Sequence, residues 1–309
     1  MTYSIVAHDP HTQQLGVAVQ TCNLGVGAWV PWAEGGVGAV ATQAKAERSY
    51  GTLGLDLMRG GLAAPQALQA LLAADERREY RQVAMIDCAG RVAQHMGTHC
   101  LPQAGMASGP GYAAQANMMA RNTVWGAMAA TFEEARDRAG QDQEDSRLAD
   151  WLVAALQAAE AEGGDIRGRQ TTALLVVGPQ EPRLPLVDLR VDHHPEPVAE
   201  LGRLLRLHRA YEAEYAIGEL AANGERDRAY ALVHRVLDLA PGEDYLRYLC
   251  AVHLAGDLQR PQEAQDLLQE LVLRRPLWRE YLQRDVSAGV FGAPGATATL
   301  YKALEEEEV

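Results

Sequence analysis

The sequence predicts an α+β chain of paired short strands interleaved with helices, followed by an all-helical C-terminal part. Three observations predict it. β-prone runs come in pairs around turn residues, at 3–7 with 15–20 and again at 82–87 with 91–95. Helical spacing of apolar residues separates these pairs from a last set of β-prone runs at 171–177 and 185–191. After Pro197 the strand pattern stops and helical pattern is nearly continuous. The boundaries that follow are an α+β domain at 1–200, a helical domain at 201–290 and an acidic tail at 291–309.

The first pair of runs flanks Asp9-Pro10-His11-Thr12, which has turn chemistry, so a hairpin begins at the first residues. A Gly-rich stretch at 25–38, with Trp29, Pro31 and Trp32, leads to a third strand of small residues at 37–42. From 49 to 74, Leu53, Leu57 and Met58 and then Ala67, Leu68, Leu71 and Leu72 keep helical spacing. The pattern breaks at Gly60-Gly61 and restarts with Pro65 in a first-turn position, which gives two helices. The second hairpin turns at Cys88-Ala89-Gly90, residues 112–115 read as a short strand before Asn117, and 123–139 and 146–161 read as helices. Two sheets, each covered by the other sheet on one face and by helices on the other, satisfy this order as a four-layer αββα sandwich. A doubly wound parallel sheet does not, because hairpins dominate over strand-helix-strand units.

In the helical part, laying residue 229 over 264 aligns Leu232 with Leu267, Val236 with Leu271 and Pro241 with Pro276. That period of ~35 resembles a tetratricopeptide-like pair, with Asn223-Gly224 and Ala255-Gly256 as turns between helices. So short an array is expected to pack on the first domain or on a second subunit, which points to a homo-oligomer. The run Glu305 to Glu308 reads as a solvated tail.

Bulk composition narrows the function classes. Hydrophobic residues at 48% and charged residues at 22% are ordinary globular material. With 28 Lys plus Arg against 41 Asp plus Glu, the net charge of −13 disfavours nucleic acid and anionic membranes as partners. The start MTYSIVAHDP has no basic leader, and no apolar run reaches the ~20 residues of a membrane span, so a cytoplasmic location is expected. Cys22, Cys88, Cys100 and Cys250 are scattered, with no C-x-x-C pair and no His at ligand spacing; reduced thiols are expected, and no metal or other cofactor.

The reactive candidate is Thr2. Removing Met1 before so small a residue would leave Thr2 with a free α-amine, which titrates near ~7.7 to 8.0 and can take the proton of its own hydroxyl. Ser4, on the same strand face, could support it. A Thr in second place is common, so context decides. The segments that supply it are TYSIVAHDP, PWAEGGVGAVATQA, QANMMA at 115–120, GGDIRGRQTTALLVV at 163–177 and VDLRVDHHPEPVAEL at 187–201.

On those segments the first two thirds of the chain resembles the domain of unknown function 1028 family, within the N-terminal-nucleophile hydrolase superfamily that includes the proteasome β-subunits. The resemblance implies the αββα fold and Thr2 as nucleophile. It also implies an oxyanion hole formed by a backbone N–H after the third strand, at Gln43 or Ala44, with Thr42 beside it as a substrate contact. One departure stands out: no Lys precedes the third strand, and Lys45 follows it. Activation of Thr2 would then fall to the Arg residues or to Asp9.

Read physically, Asp165, Arg167, Arg169 and Gln170 gather a carboxylate, two guanidiniums and an amide between a helix and a strand. Arg167 and Arg169 could clamp a substrate carboxylate with Asp165 fixing one of them, and Asn117 offers a donor and an acceptor; a structural ion-pair network is the alternative. Asp188, Arg190, Asp192, His193 and His194 read as a brace rather than a metal site.

The leading reading is an amidohydrolase for a small amide or acyl substrate, with Thr2, Gln43 and Asn117 at the chemistry. The competing one is a non-catalytic metabolite-binding or scaffold protein whose helical repeat docks a protein partner. Exposed Tyr211, Tyr215, Tyr245 and Tyr248 would favour the latter, although a place in the repeat's own core is the preferred reading of these residues. Cys22 as nucleophile lacks a nearby His, and Gly105 to Gly111 lacks the Lys and Ser/Thr of a phosphate loop.

Overall fold

β1 (Thr2–Asp9) and β2 (Gln14–Thr21) form the expected hairpin. The Asp9 carboxylate closes its turn, accepting the His11 N–H at 2.9 Å and the Thr12 hydroxyl at 2.6 Å. β3 (Pro31–Glu34) pairs with β4 (Gly38–Ala44), so the strand expected third is the fourth. β3 hides inside the Gly-rich stretch because it is short and starts on Pro31, a residue that pairs only at a strand's edge or first position. α1 (Ser49–Arg59) and α2 (Ala64–Ala74) follow, broken at Gly60-Gly61 as expected. β5 (Arg81–Asp87) and β6 (Val92–Met96) form the second hairpin, and β7 (Gly105–Gly109) with β8 (Tyr112–Asn117) a third. β7 lies in the stretch considered for a phosphate loop; a Cβ on its Gly105 would sit 2.2 Å from the Trp125 ring, which accounts for that glycine. α3 (Val124–Ala139), α4 (Leu148–Ala161), β9 (Thr171–Val177) and β10 (Pro185–Val191) complete the set.

This computed structural model describes residues 2–139, 148–180, 184–288 and Leu300. Met1, the expected helix start at Ser146 and, Leu300 apart, the tail at 291–309 with Glu305 to Glu308 lie outside the described residues. The chain divides into two units, Met1–Leu204 and Leu205–Val309.

The first unit holds a six-stranded sheet, β10-β9-β2-β1-β8-β7, and a four-stranded sheet, β3-β4-β5-β6, with antiparallel pairing throughout. Their facing surfaces share one core: Val6, Val17 and Val19 pack against Ala39, Ala41, Ala84 and Ile86. On the other face of the smaller sheet, Val40, Val83 and Met85 pack with Tyr50, Leu55, Met58 and Leu68 of α1 and α2. α4 covers β1 and β2, where Gly16 leaves room for Leu152. Because side chains alternate along a strand, Ala39 and Ala41 put Gln43 between the sheets, while Val40 puts Thr42 on the helix side. The same parity puts Thr2 and Ser4 between the sheets with Val6, and Tyr3 on the helix side.

In the second unit, the part of α5 (Pro197–Ala222) from Leu205 onward packs with α6 (Arg226–Leu239), α7 (Asp244–Ala255), α8 (Pro261–Arg274) and α9 (Leu277–Ala288). Ala229, Val233 and Val236 are buried in α6, and Ala264, Leu268 and Leu271 are buried ~35 positions later in α8. Of the four tyrosines, Tyr248 belongs to the core and stacks on Trp278 at 5.7 Å, Tyr211 and Tyr245 are half-buried, and Tyr215 is 77% exposed.

His253 ties α7 to α5. Its Nδ1 lies 2.6 Å from Asp257 Oδ2 and its Nε2 lies 3.1 Å from Glu214 Oε1. Burial pulls the imidazole pKa down, but the two carboxylates outweigh it and hold it above the ordinary 6.5. A folded-state pKa above the unfolded value means that this contribution is complete below pH ~6.5 and fades as pH rises through the raised value. Thermal melts are therefore expected to lose stability on going from about pH 6 to about pH 9, and His253→Gln to flatten that slope. Identical pH slopes for the two proteins would contradict the assignment.

Candidate active site

Strand register brings the candidate residues together. Thr2 stands opposite Thr21 on β2 and Asn117 on β8. It is 5% exposed, and its hydroxyl donates to the Thr21 hydroxyl at 3.0 Å. Thr21 Oγ1 in turn lies 3.5 Å from Arg167 Nη2. Arg167 grips Asp165 as a fork, Nε to Oδ1 at 3.1 Å and Nη2 to Oδ2 at 2.8 Å. Asp165 is wholly buried at its side chain and also accepts the backbone N–H groups of Arg167 and Cys22, at 3.0 and 3.1 Å. The ion pair is thus a braced unit that holds a guanidinium, 29% exposed at its side chain, beside the first strand.

Behind Thr2 lies a buried amide cluster between the sheets. Gln43 Nε2 donates to the Thr2 carbonyl at 3.0 Å and to Gln82 Oε1 at 2.8 Å, while Gln43 Oε1 accepts from the Ser4 hydroxyl at 2.7 Å. Gln82 Oε1 also accepts from Asn117 Nδ2 at 2.8 Å, and Gln82 Nε2 donates to the carbonyls of Gly105 and Ala116 at 3.2 and 3.0 Å. Gln115 donates to Ser4 Oγ at 3.2 Å and to the Ala41 carbonyl at 3.0 Å. Gln115 Oε1 lacks a partner among the described residues, but the bonds around Gln43 and Gln82 tie the first strand's end to both sheets.

Asn117 also faces a cleft of about 220 Å³ lined by Ala44, Lys45, Tyr80, His99, Cys100 and Leu101. Two non-glycine residues beside it carry left-handed backbone, Ala44 with φ +67° at the exit of β4 and Met118 with φ +57° just past β8. Such conformations persist only where packing imposes them, and they cluster at functional sites. Tyr80 and His99 stack at 4.4 Å, with the Lys45 ammonium 5.7 Å from the Tyr80 ring. Burial pushes the Cys100 thiol pKa up, so at neutral pH this sulfur is a poor nucleophile.

Thr2, Gln43 and Asn117 therefore meet, with Asp165 and Arg167 one step away through Thr21. Gln43 departs from expectation in using its side chain on Thr2. Thr42, expected as a substrate contact, faces the other way, its hydroxyl donating to the Glu47 carbonyl at 3.2 Å. Arg169 pairs with Glu160 and Glu196, and Glu160 accepts the hydroxyl of Tyr3 from the helix side of β1. Gln170 lies 3.4 Å from His193 Nδ1. Asp9 sits at the far end of β1, about 23 Å from Thr2 at strand rise, and serves its turn. Arg190 pairs with Asp188, and His194 Nδ1 accepts the Glu196 N–H at 3.0 Å, both bracing contacts. Thr21 and Gln82 escaped sequence reasoning. Counting residues outward from the turn between Asp9 and Gln14 would have found Thr21; Gln82 gave no such signal.

Fold and site together define a two-sheet α+β protein whose first strand ends in a braced polar cluster beside a cleft. A family model described as "Family of unknown function (DUF1028)" matches residues 2–201, and the chain belongs to that family. A crystal structure of protein SPO2555 from Silicibacter pomeroyi, of the same family, is similar at 33% identity and a TM-score of 0.58, over 66% of this chain and 88% of that one. No curated protein matches. Among the described residues, no helix is long and apolar enough to cross a membrane, and no group of three or more His, Cys, Asp or Glu is placed to hold a metal ion.

Proposed function

We propose that the first unit is an αββα N-terminal-nucleophile amidohydrolase, that Thr2 becomes the nucleophile once Met1 is removed, and that the second unit is a tetratricopeptide-like array. The observation that carries the reading is the seat of Thr2: clamped by Thr21 and Gln43, it pairs with Asn117, which opens on the cleft. The freed α-amine takes the hydroxyl proton, directly or through a water, and Thr2 Oγ1 attacks the carbonyl carbon of a small amide. The charge on the tetrahedral oxygen is met by the Ala44 backbone N–H and Asn117 Nδ2. Collapse breaks the C–N bond, the leaving amine takes the proton from the α-ammonium, and water then hydrolyses the Thr2 ester with the amine as base.

Arg167 supplies the positive field that a Lys provides elsewhere in the superfamily, favouring the neutral amine. Intact mass spectrometry of the purified chain is expected to show one methionine missing, and a β-lactone probe to leave an adduct on the peptide that starts with Thr2. Retained Met1, or an adduct elsewhere, would count against the reading.

A further inference from the structure

The second unit carries a cleft of about 200 Å³ that opens at the edge of its core, with the core residues Leu249 and Val252 on its lining. Tyr211, Glu214 and Tyr215 fall at i, i+3 and i+4 on α5, hence on one helix face. Tyr245, Leu249, Val252 and His253 fall at i, i+4, i+7 and i+8 on α7, which is again one face. The two faces leave three tyrosine rings and a carboxylate around one opening. Glu214 is 5% exposed and bonds His253 through one oxygen, while Tyr215 is 77% exposed.

The triad of Glu214, His253 and Asp257 is net negative even with His253 protonated, Glu214 lining the cleft and Asp257 standing behind His253. Burial, then Glu243 and Glu214, raise the Tyr211 phenol, and burial leads in pushing Tyr245 up to about 12, so both phenols stay neutral; Tyr245 is held in place by stacking on Tyr248 at 6.4 Å. A chain of net charge −13 adds a field that draws cations.

We propose that this cleft binds a quaternary ammonium headgroup, with Tyr211, Tyr215 and Tyr245 as a cation–π cage and Glu214 as its counter-charge. Aromatic faces take such cations better than water-hungry ammonium, since the methyl groups bury while the diffuse charge meets the rings. The cleft has room for one small headgroup and not for a larger ligand. The inference is independent of the chemistry at Thr2.

Isothermal titration calorimetry of the full chain tests it with choline, with its uncharged carbon isostere dimethylbutanol, and with a short peptide bearing trimethyllysine. Choline or the peptide is expected to give saturable heat, and dimethylbutanol to bind at least ~5-fold more weakly. A preference for the peptide assigns the headgroup to a modified protein tail, and a preference for choline to a free metabolite. Tyr215→Ala, at a solvent-facing position that should leave the melt unchanged, is expected to weaken binding at least ~5-fold, and Tyr215→Phe to keep it. No saturable heat from either cation, equal binding of the neutral isostere, or an unaffected Tyr215→Ala would overturn the proposal.

Discussion

Thr2→Ala is expected to abolish β-lactone acylation and to slow the hydrolysis of any amide that the wild-type chain turns over by at least ~10³-fold. The substitution keeps a small second residue, so Met1 removal continues and only the hydroxyl is lost. Its folding cost is that of one neutral hydrogen bond, the 3.0 Å contact to Thr21, or about 1 kcal/mol. A fall in rate of that size with a nearly unchanged melt can come only from the chemistry. Thr2→Ser keeps both hydroxyl and amine and is expected to retain measurable acylation. Arg169→Ala is the informative control: its guanidinium pairs with Glu160 and Glu196 on the helix side of β1, so acylation should stay at the wild-type rate. Acylation that survives Thr2→Ala would remove Thr2 from the mechanism, and a loss in Arg169→Ala would show that the two faces of β1 had been misassigned.

What the sequence made legible follows from how local each signal is. Hairpins with real turn chemistry, at Asp9 to Thr12 and around Cys88-Ala89-Gly90, were readable because the turn residues and flanking alternation lie within a dozen positions. The helix break at Gly60-Gly61 was readable for the same reason. β3 and β7 were not, since each is a short edge strand, one starting on Pro31 and the other bounded by Gly105 and Gly109, whose pairing is imposed by a neighbour. The site divides the same way. Thr2 with Asn117, and Asp165 with Arg167, came from residue type and resemblance, and the register places Thr2 opposite Asn117. Arg167 and Arg169 look equivalent in the string Arg167-Gly168-Arg169, yet Gly168 at φ +109° turns the chain between them and they serve opposite faces of β1. Gln82 is invisible as a signal, because its role depends on three other strands arriving around it.

Gln82→Leu is expected to cost about 3 kcal/mol of stability in the first unit, the sum of several small debts left by one side chain. Leucine fills a similar volume but neither donates nor accepts. Gln43 Nε2 keeps only the Thr2 carbonyl, Asn117 Nδ2 must turn to cleft water, and the carbonyls of Gly105 and Ala116 each lose a donor inside the protein. Each such orphaned group costs about 1 to 3 kcal/mol when water is excluded, and the Asn117 share is smaller because the cleft reaches it. For a unit of this size the midpoint should fall by roughly 6 to 12 °C. Gln20, on β2 of the other sheet, provides the contrast: it is 0% exposed like Gln82, but among the described residues both its amide atoms lack a hydrogen-bond partner. Gln20→Leu therefore removes a desolvation cost without orphaning anything, and is expected to be neutral or stabilising. Equal melting shifts for the two variants would mean that the amide cluster contributes nothing beyond its volume. A large shift for Gln82→Leu, with β-lactone acylation of Thr2 slowed in the protein that remains folded, would show that the cluster both holds the sheets together and sets the position of the nucleophile.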